Sequence, residues 1–140
     1  AARPPAAAAS SSGSAPCSGY VTARPSGLHG SGAFAAAGYV AGRAVELCPA
    51  LLLDGPAALH CADYCMSFGG NCGKSSVLPL GCGALYNHAA GPASSPLAWA
   101  YDEELELIVL RADAPVAAGS ELFIDYGTGY WGSRGLEPAH

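Results

Sequence analysis

Hydrophobic positions along this chain come in short runs cut by glycine and proline. In the first third they fall at 20–23, 33–36 and 44–53. Each run is bounded by turn formers and is too short or too continuous for an amphipathic helix, so three strands are predicted. The stretch ELFIDYGTGYW at 121–131 opens with strict alternation. Leu122 and Ile124 point to one face while Phe123 and Asp125 point to the other, which makes a half-buried strand with enough apolar area for a core. AWAY and LELIVLRA, joined through residues 102–104, form a hairpin pattern. VLPLGCGALYNHA reads as a strand running into a glycine-rich turn, whereas 57–68 has no clean period and is either a short helix or irregular. Residues 69–76 and the segment GPASSPL read as loops.

Composition agrees with this reading. Among 140 residues, 51% are hydrophobic and 12% charged, with 19 glycines and 11 prolines, which favours a mainly β domain of short elements joined by tight turns. The length fits one domain with a core of its own. Residues 1–16, AARPPAAAASSSGSAP, are Ala/Ser/Pro low complexity and read as a disordered leader, a trimmed linker or a targeting remnant, ahead of a domain at 17–140. A net charge of −5 disfavours direct nucleic-acid binding and makes a basic partner easier to accommodate. Asp102, Glu103, Glu104, Glu106, Asp113, Glu121 and Asp125 are balanced in their stretch only by Arg111. No apolar run approaches the ~20 residues of a bilayer span, so no membrane is implied.

Cys61, Cys65, Cys72 and Cys82 follow His60. Their spacing departs from the close C-x2-C pairing of structural zinc sites, and nothing announces an oxidising compartment, so reduced core thiols and no metal are expected. A zinc-dependent interaction module remains a competing class. No G-x-S-x-G or H-E-x-x-H motif supports a hydrolase or metalloprotease. GLHGSGAFA at 27–35 lacks the context of a dinucleotide loop. Taken alone, Asn87-His88 is an ordinary turn pair. Tyr126, Tyr130 and Trp131 around Gly127 and Gly129 either cap the core or wall a narrow pocket.

Together and in order, SGLHGSGAFAAAGYVAGRAVELCPAL, GCGALYNHA and APVAAGSELFIDYG resemble the SET domain of protein lysine methyltransferases, and the resemblance runs from about Ser26 to Trp131. The compact SET proteins of large algal viruses and their plant and algal relatives look most similar. The resemblance implies a fold of short strands in several small sheets with a threaded C-terminal segment. It implies methyl transfer from S-adenosylmethionine to a lysine ε-amine of a basic protein, with a histone tail in the nucleus as the leading case and an organelle or the cytoplasm as alternatives. Tyr126 matches the family's catalytic tyrosine. Gly30, Ser31 and Gly32 would approach the methionine moiety, Asn87 and His88 would bind the adenine side, and Trp131 would lie against the adenine face. Tyr64, Tyr101 and Tyr130 are candidates for an aromatic lysine channel.

The chain also departs from the family pattern. N-H-S-C is Asn87-His88-Ala89-Ala90, the following Pro-Asn appears as Pro92-Ala93 or Pro96-Leu97, and the first acid of G-E-E-L is Ser120, with Glu121 second. No cysteine follows Cys82, so the zinc-bound closure of many relatives is missing and residues 130–140 must close the channel. A non-catalytic SET module that binds a peptide or protein partner is the alternative reading, and homodimerisation is left open.

Overall fold

The computed structural model describes residues 15–16, 20–68, 75–89, 94 and 97–137. Its elements are β1 (Ala15–Pro16), β2 (Val21–Pro25), β3 (Ser31–Ala35), β4 (Ala44–Leu53), α1 (Gly55–His60), β5 (Met66–Phe68), β6 (Ser75–Pro79), a 3-10 turn (Gly83–Leu85), β7 (Asn87–His88), β8 (Leu97–Asp102), β9 (Leu107–Ala112), β10 (Glu121–Ile124) and α2 (Thr128–Gly132). Two five-stranded sheets result, ordered β1-β2-β3-β10-β7 and β5-β6-β4-β9-β8. The C-terminal strand β10 enters the first sheet between elements distant in sequence, antiparallel to β3 and parallel to β7. That insertion carries Tyr126 up to the Asn87 motif.

Alternation places the core. Leu122 and Ile124 are buried on β10, as their period predicts, and Ile108 and Leu110 are buried on β9. β4 covers the predicted 44–53 run and is the central strand of the second sheet, paired with both β6 and β9. The AWAY/LELIVLRA hairpin forms as β8 and β9.

Several expectations are corrected. Ala15–Pro16, the end of the expected leader, pair with β2 as a short strand, and residues 1–14 lie outside the described residues. Ser75 and Ser76, read as loop, belong to β6, because β4 and β5 supply ladder partners on both sides. The turn expected after Tyr126 is the short helix α2. Cys82, expected as a reduced thiol, is disulfide-bonded, while Cys48, Cys61 and Cys65 are free. That bond depends on tertiary proximity, which sequence spacing does not reveal. Cys72, Ala90, Pro92, Ala93 and Pro96 lie outside the described residues. Among the described residues, no group of three His, Cys, Asp or Glu side chains is placed to hold a metal.

Candidate active site

A buried polar knot underlies the site. Glu46, on β4, is 4% exposed. Its carboxylate accepts hydrogen bonds from the Tyr86 hydroxyl at 2.6 Å and the Cys82 backbone N–H at 3.0 Å. Burial and the Glu46 carboxylate push the Tyr86 hydroxyl far above the ordinary phenol range, so it stays a donor. The glycine-rich GCG turn fits around this knot. A Cβ on Gly83 would lie 2.4 Å from Pro79 and 3.0 Å from the Cys48 Sγ. The turn thereby fixes the carbonyl of Tyr86.

That carbonyl accepts the Tyr126 hydroxyl at 2.7 Å. The Tyr126 backbone N–H donates to Nδ1 of His88 at 3.2 Å. Burial, aided by Tyr130, pushes the Tyr126 pKa up to about 12, so the hydroxyl keeps its proton at neutral pH. Its ring sits 4.6 Å from Tyr130, 5.3 Å from His88 and 5.9 Å from Trp131 by centroid, stacked on the last.

On one side of this cluster a cavity of about 410 Å³ is lined by Tyr64, Tyr86, Trp99, Tyr126 and Tyr130, with Asp63 and Asp125 among its polar groups. Tyr101, a channel candidate, is not among the lining residues; its ring lies tilted against Phe68 at 4.4 Å, and Trp99 of the same strand lines the cavity instead. The cavity is closed by α2 and the turn after it. The Arg134 guanidinium lies 3.8 Å over the Tyr130 ring, pairs with Asp63 at 2.8 Å and donates to the Ala62 and Tyr130 carbonyls. An ion pair and a cation–π contact hold this segment in place.

The other candidate residues gather around Asn87. Its side-chain amide donates to Glu121 Oε1 at 2.9 Å and to the His29 and Ser31 carbonyls at 3.3 and 3.4 Å. The β2–β3 turn carrying Gly30 and Ser31 is thereby tied to β10. Gly30 has φ +51°, a left-handed conformation suited to glycine. Gly32 is buried, and a Cβ there would fall 2.3 Å from Glu121 Oε1 and 3.3 Å from Asn87 Nδ2. The Asn87 amide, expected on the adenine side, thus has three acceptors within the protein.

Among the described residues, two buried side-chain nitrogens have no partner: His88 Nε2 and Trp131 Nε1. Because His88 Nδ1 accepts an amide proton, the proton of the neutral imidazole is on Nε2. The rings of these residues are 4.9 Å apart. Unpaired donors on adjacent aromatic rings could meet the acceptor nitrogens of a flat heterocycle.

No family model and no curated protein matches the chain. Among solved structures it is similar to a putative histone methyltransferase of Plasmodium falciparum, at 24% identity and a TM-score of 0.60, covering 80% of this chain and 96% of that one. The likeness, with the strand order and the inserted β10, shows the architecture. The fold is that of a SET domain. Tyr126, His88, Trp131 and Tyr130 come together in it, Tyr64 lies at the cavity, and Tyr101 stands apart. Glu46, Tyr86, Trp99 and the Arg134–Asp63 pair were not singled out as site residues by sequence, and of these only Glu46 and Tyr86 lie inside segments that carried the resemblance.

Proposed function

We propose that the protein is an S-adenosylmethionine-dependent lysine N-methyltransferase acting on a basic protein tail, with histones in the nucleus as the leading substrate class. The observation that carries this reading is the Tyr126 hydroxyl, protonated and fixed on the Tyr86 carbonyl in the wall of an aromatic cavity. The Plasmodium protein's designation as a putative histone methyltransferase supports the same class.

When bound, S-adenosylmethionine supplies a methyl group that leaves its sulfonium with the S–C electrons returning to sulfur, as the amine lone pair forms the N–C bond. The residues of this chain orient and desolvate. Tyr126 donates to Tyr86 O and keeps oxygen lone pairs to accept an N–H of the incoming amine, which aims the nitrogen. Tyr64, Trp99 and Tyr130 give the lysine an apolar passage, which favours its neutral form after a proton is lost to solvent. Asp125, exposed at the cavity, suits a cationic side chain on approach. His88 and Trp131 would hold the adenine end through their unpaired donors, and Asn87 positions the Gly30–Ser31 turn beside it.

The test is incubation with isotopically labelled S-adenosylmethionine and a panel of histone and non-histone basic proteins, with modified lysines mapped by mass spectrometry. Label on a lysine of a basic tail is expected. Cofactor binding with no transfer to any lysine would reduce the domain to a binding module, and absence of binding would overturn the reading entirely.

A further inference from the structure

A buried carboxylate contributes little to stability, because apolar side chains of the same volume pack without its desolvation cost. The chain is nevertheless shaped around Glu46. The β4–β9 register shifts at this point: Ala44 lies opposite Arg111 and Glu46 opposite Leu110, so β4 carries one residue more than β9. The extra residue lets Val45 and Glu46, neighbours in sequence, both be buried, which plain strand alternation forbids. Gly81 has φ +68°, and a Cβ there would lie 2.9 Å from Glu46 Oε1. Any side chain at 81 would strain the turn and press on the carboxylate. Three donors converge on Glu46: the Tyr86 hydroxyl, the Cys82 N–H, and the Cys48 thiol, which burial and the carboxylate itself keep protonated. A carboxylate satisfied in this way has one orientation.

What that orientation fixes lies on the other sheet. Glu46 belongs to the second sheet, whereas Tyr126 follows β10 of the first. Tyr86 spans the gap and is held at both ends. Its hydroxyl donates to Glu46 Oε2 at 2.6 Å, and its carbonyl accepts the Tyr126 hydroxyl at 2.7 Å. The turn before it is closed by the Leu85 N–H donating to the Cys82 carbonyl at 2.8 Å. With the ring anchored at its far end and the turn closed behind it, the Tyr86 backbone has little freedom to swing its carbonyl away. We propose that Glu46 is a positioning residue, which acts through Tyr86 to aim the Tyr126 hydroxyl.

This role rests on the methyl-transfer reading, in which that hydroxyl aims the amine. Glu46 is not among the residues lining the cavity, so it touches none of the reacting groups. Its effect should therefore fall on the rate of transfer and spare substrate binding. A displacement of about 1 Å in a reacting geometry can cost roughly 10²-fold in rate, which leaves ample room for a measurable effect.

Methyl-transfer kinetics of Glu46→Leu, Glu46→Gln and Tyr86→Phe separate aiming from plain support. Glu46→Leu and Tyr86→Phe should each lower the single-turnover rate by about tenfold or more, with KM for a basic protein and S-adenosylmethionine affinity within about twofold of the parent's. Glu46→Gln should restore most of the rate, because its amide oxygen can accept from the Cys82 N–H while its NH2 donates to the phenol oxygen. Added to Tyr126→Phe, Tyr86→Phe should cause no further loss, since the hydroxyl it aims is already gone. Should a single substitution unfold the chain, Glu46→Met/Tyr86→Phe removes the carboxylate and the phenol together, and its rate should still be low. A parent rate in folded Tyr86→Phe or Glu46→Met/Tyr86→Phe, or losses that multiply in the Tyr126→Phe background, would overturn the proposal. A further arm needs no reaction: the Tyr126 Cζ resonance of 13C-tyrosine-labelled protein, assigned by its loss in Tyr126→Phe. It should move in Glu46→Leu and stay in place in Glu46→Gln. A resonance unmoved in folded Glu46→Leu would overturn the positioning, whereas one that moves in a chain transferring no methyl would uphold the positioning and reject the methyl-transfer reading.

Discussion

The two walls that meet at Tyr126 are held in different ways. The wall formed by Asn87, Glu121 and Gly32 is braced: a side-chain amide spans a carboxylate and two carbonyls, and the glycine leaves no room for another carbon. The wall formed by α2 is latched. That helix runs only from Thr128 to Gly132, has no side-chain N-cap and buries none of its residues. Arg134 supplies much of its polar attachment, through Asp63 and Ala62. A braced wall keeps its geometry before a ligand arrives, which suits the proposed cofactor side, whereas a latched wall can open to admit and release a protein tail.

If this contrast is right, damage to the brace should cost more than damage to the latch. Asn87→Ala leaves the Glu121 carboxylate and the Gly30–Ser31 turn without their tie. Losses of this kind cost about 1–3 kcal/mol, which should appear by calorimetry as S-adenosylmethionine affinity reduced by roughly ten- to a hundredfold. Gly32→Ala should act in the same direction by pushing Glu121 off Asn87. Unchanged affinity in folded variants of both would break the contrast from the brace side.

Alkaline pH should loosen the shared centre next. Burial raises the Tyr126 pKa from its ordinary value near 10 to about 12, and it raises that of Tyr86 further. The unfolded chain therefore loses these protons first. Their stabilising contribution is full below pH 10 and falls as pH climbs through 10 toward 12, and buried Cys48, whose thiol is likewise pushed up from its ordinary value near 9, begins the decline earlier, so the melting temperature should fall from about pH 9 and more steeply above pH 10. A melting temperature that does not steepen its fall above pH 10 would contradict the assigned burial of the two phenols.

The latch should give the smallest effect. Asp63 is 72% exposed, which holds its pair with the 23% exposed Arg134 to about 0–1 kcal/mol, so Arg134→Ala should lower the melting temperature only slightly and leave cofactor affinity near the parent's. KM for a basic protein substrate should nevertheless rise about two- to fivefold, since a change of this size is under about 1 kcal/mol. High salt should mimic the substitution, and a chelator should change neither melting nor KM. A large stability loss in Arg134→Ala, or unfolding by chelator, would show that the closure was misread.

How much of this was legible in the chain depends on whether a feature is local. The period of Leu122 and Ile124 gives their face directly, and the unbroken 44–53 run becomes the central strand β4 because it is long and apolar on both sides. Ser75 and Ser76 carry no such signal and are strand only because neighbours pair with them. Tyr101 and Trp99 share a parity on β8, and sequence cannot tell which ring reaches the cavity; Phe68, brought in on β5, takes Tyr101. Nothing local marks Glu46, inside the 44–53 run, as a buried carboxylate; only the fold brings it Tyr86 and the Cys82 amide. Arg134 and Asp63 are seventy-one residues apart, and no local pattern announces their meeting. The motif residues around Tyr126 were recoverable because the resemblance fixed several distant positions at once.

The central claim is that Tyr126 performs chemistry beyond filling space, and Tyr126→Phe separates the two roles. The ring still packs among Tyr130, His88 and Trp131, while the bond to the Tyr86 carbonyl and the oxygen that aims the amine are lost. In single-turnover methyl transfer to a lysine-bearing substrate found with the parent protein, the rate should fall by roughly 10²–10³, with the melt and S-adenosylmethionine affinity close to the parent's. Transfer by folded Tyr126→Phe at the parent rate would contradict the account and leave Tyr126 as one more core aromatic.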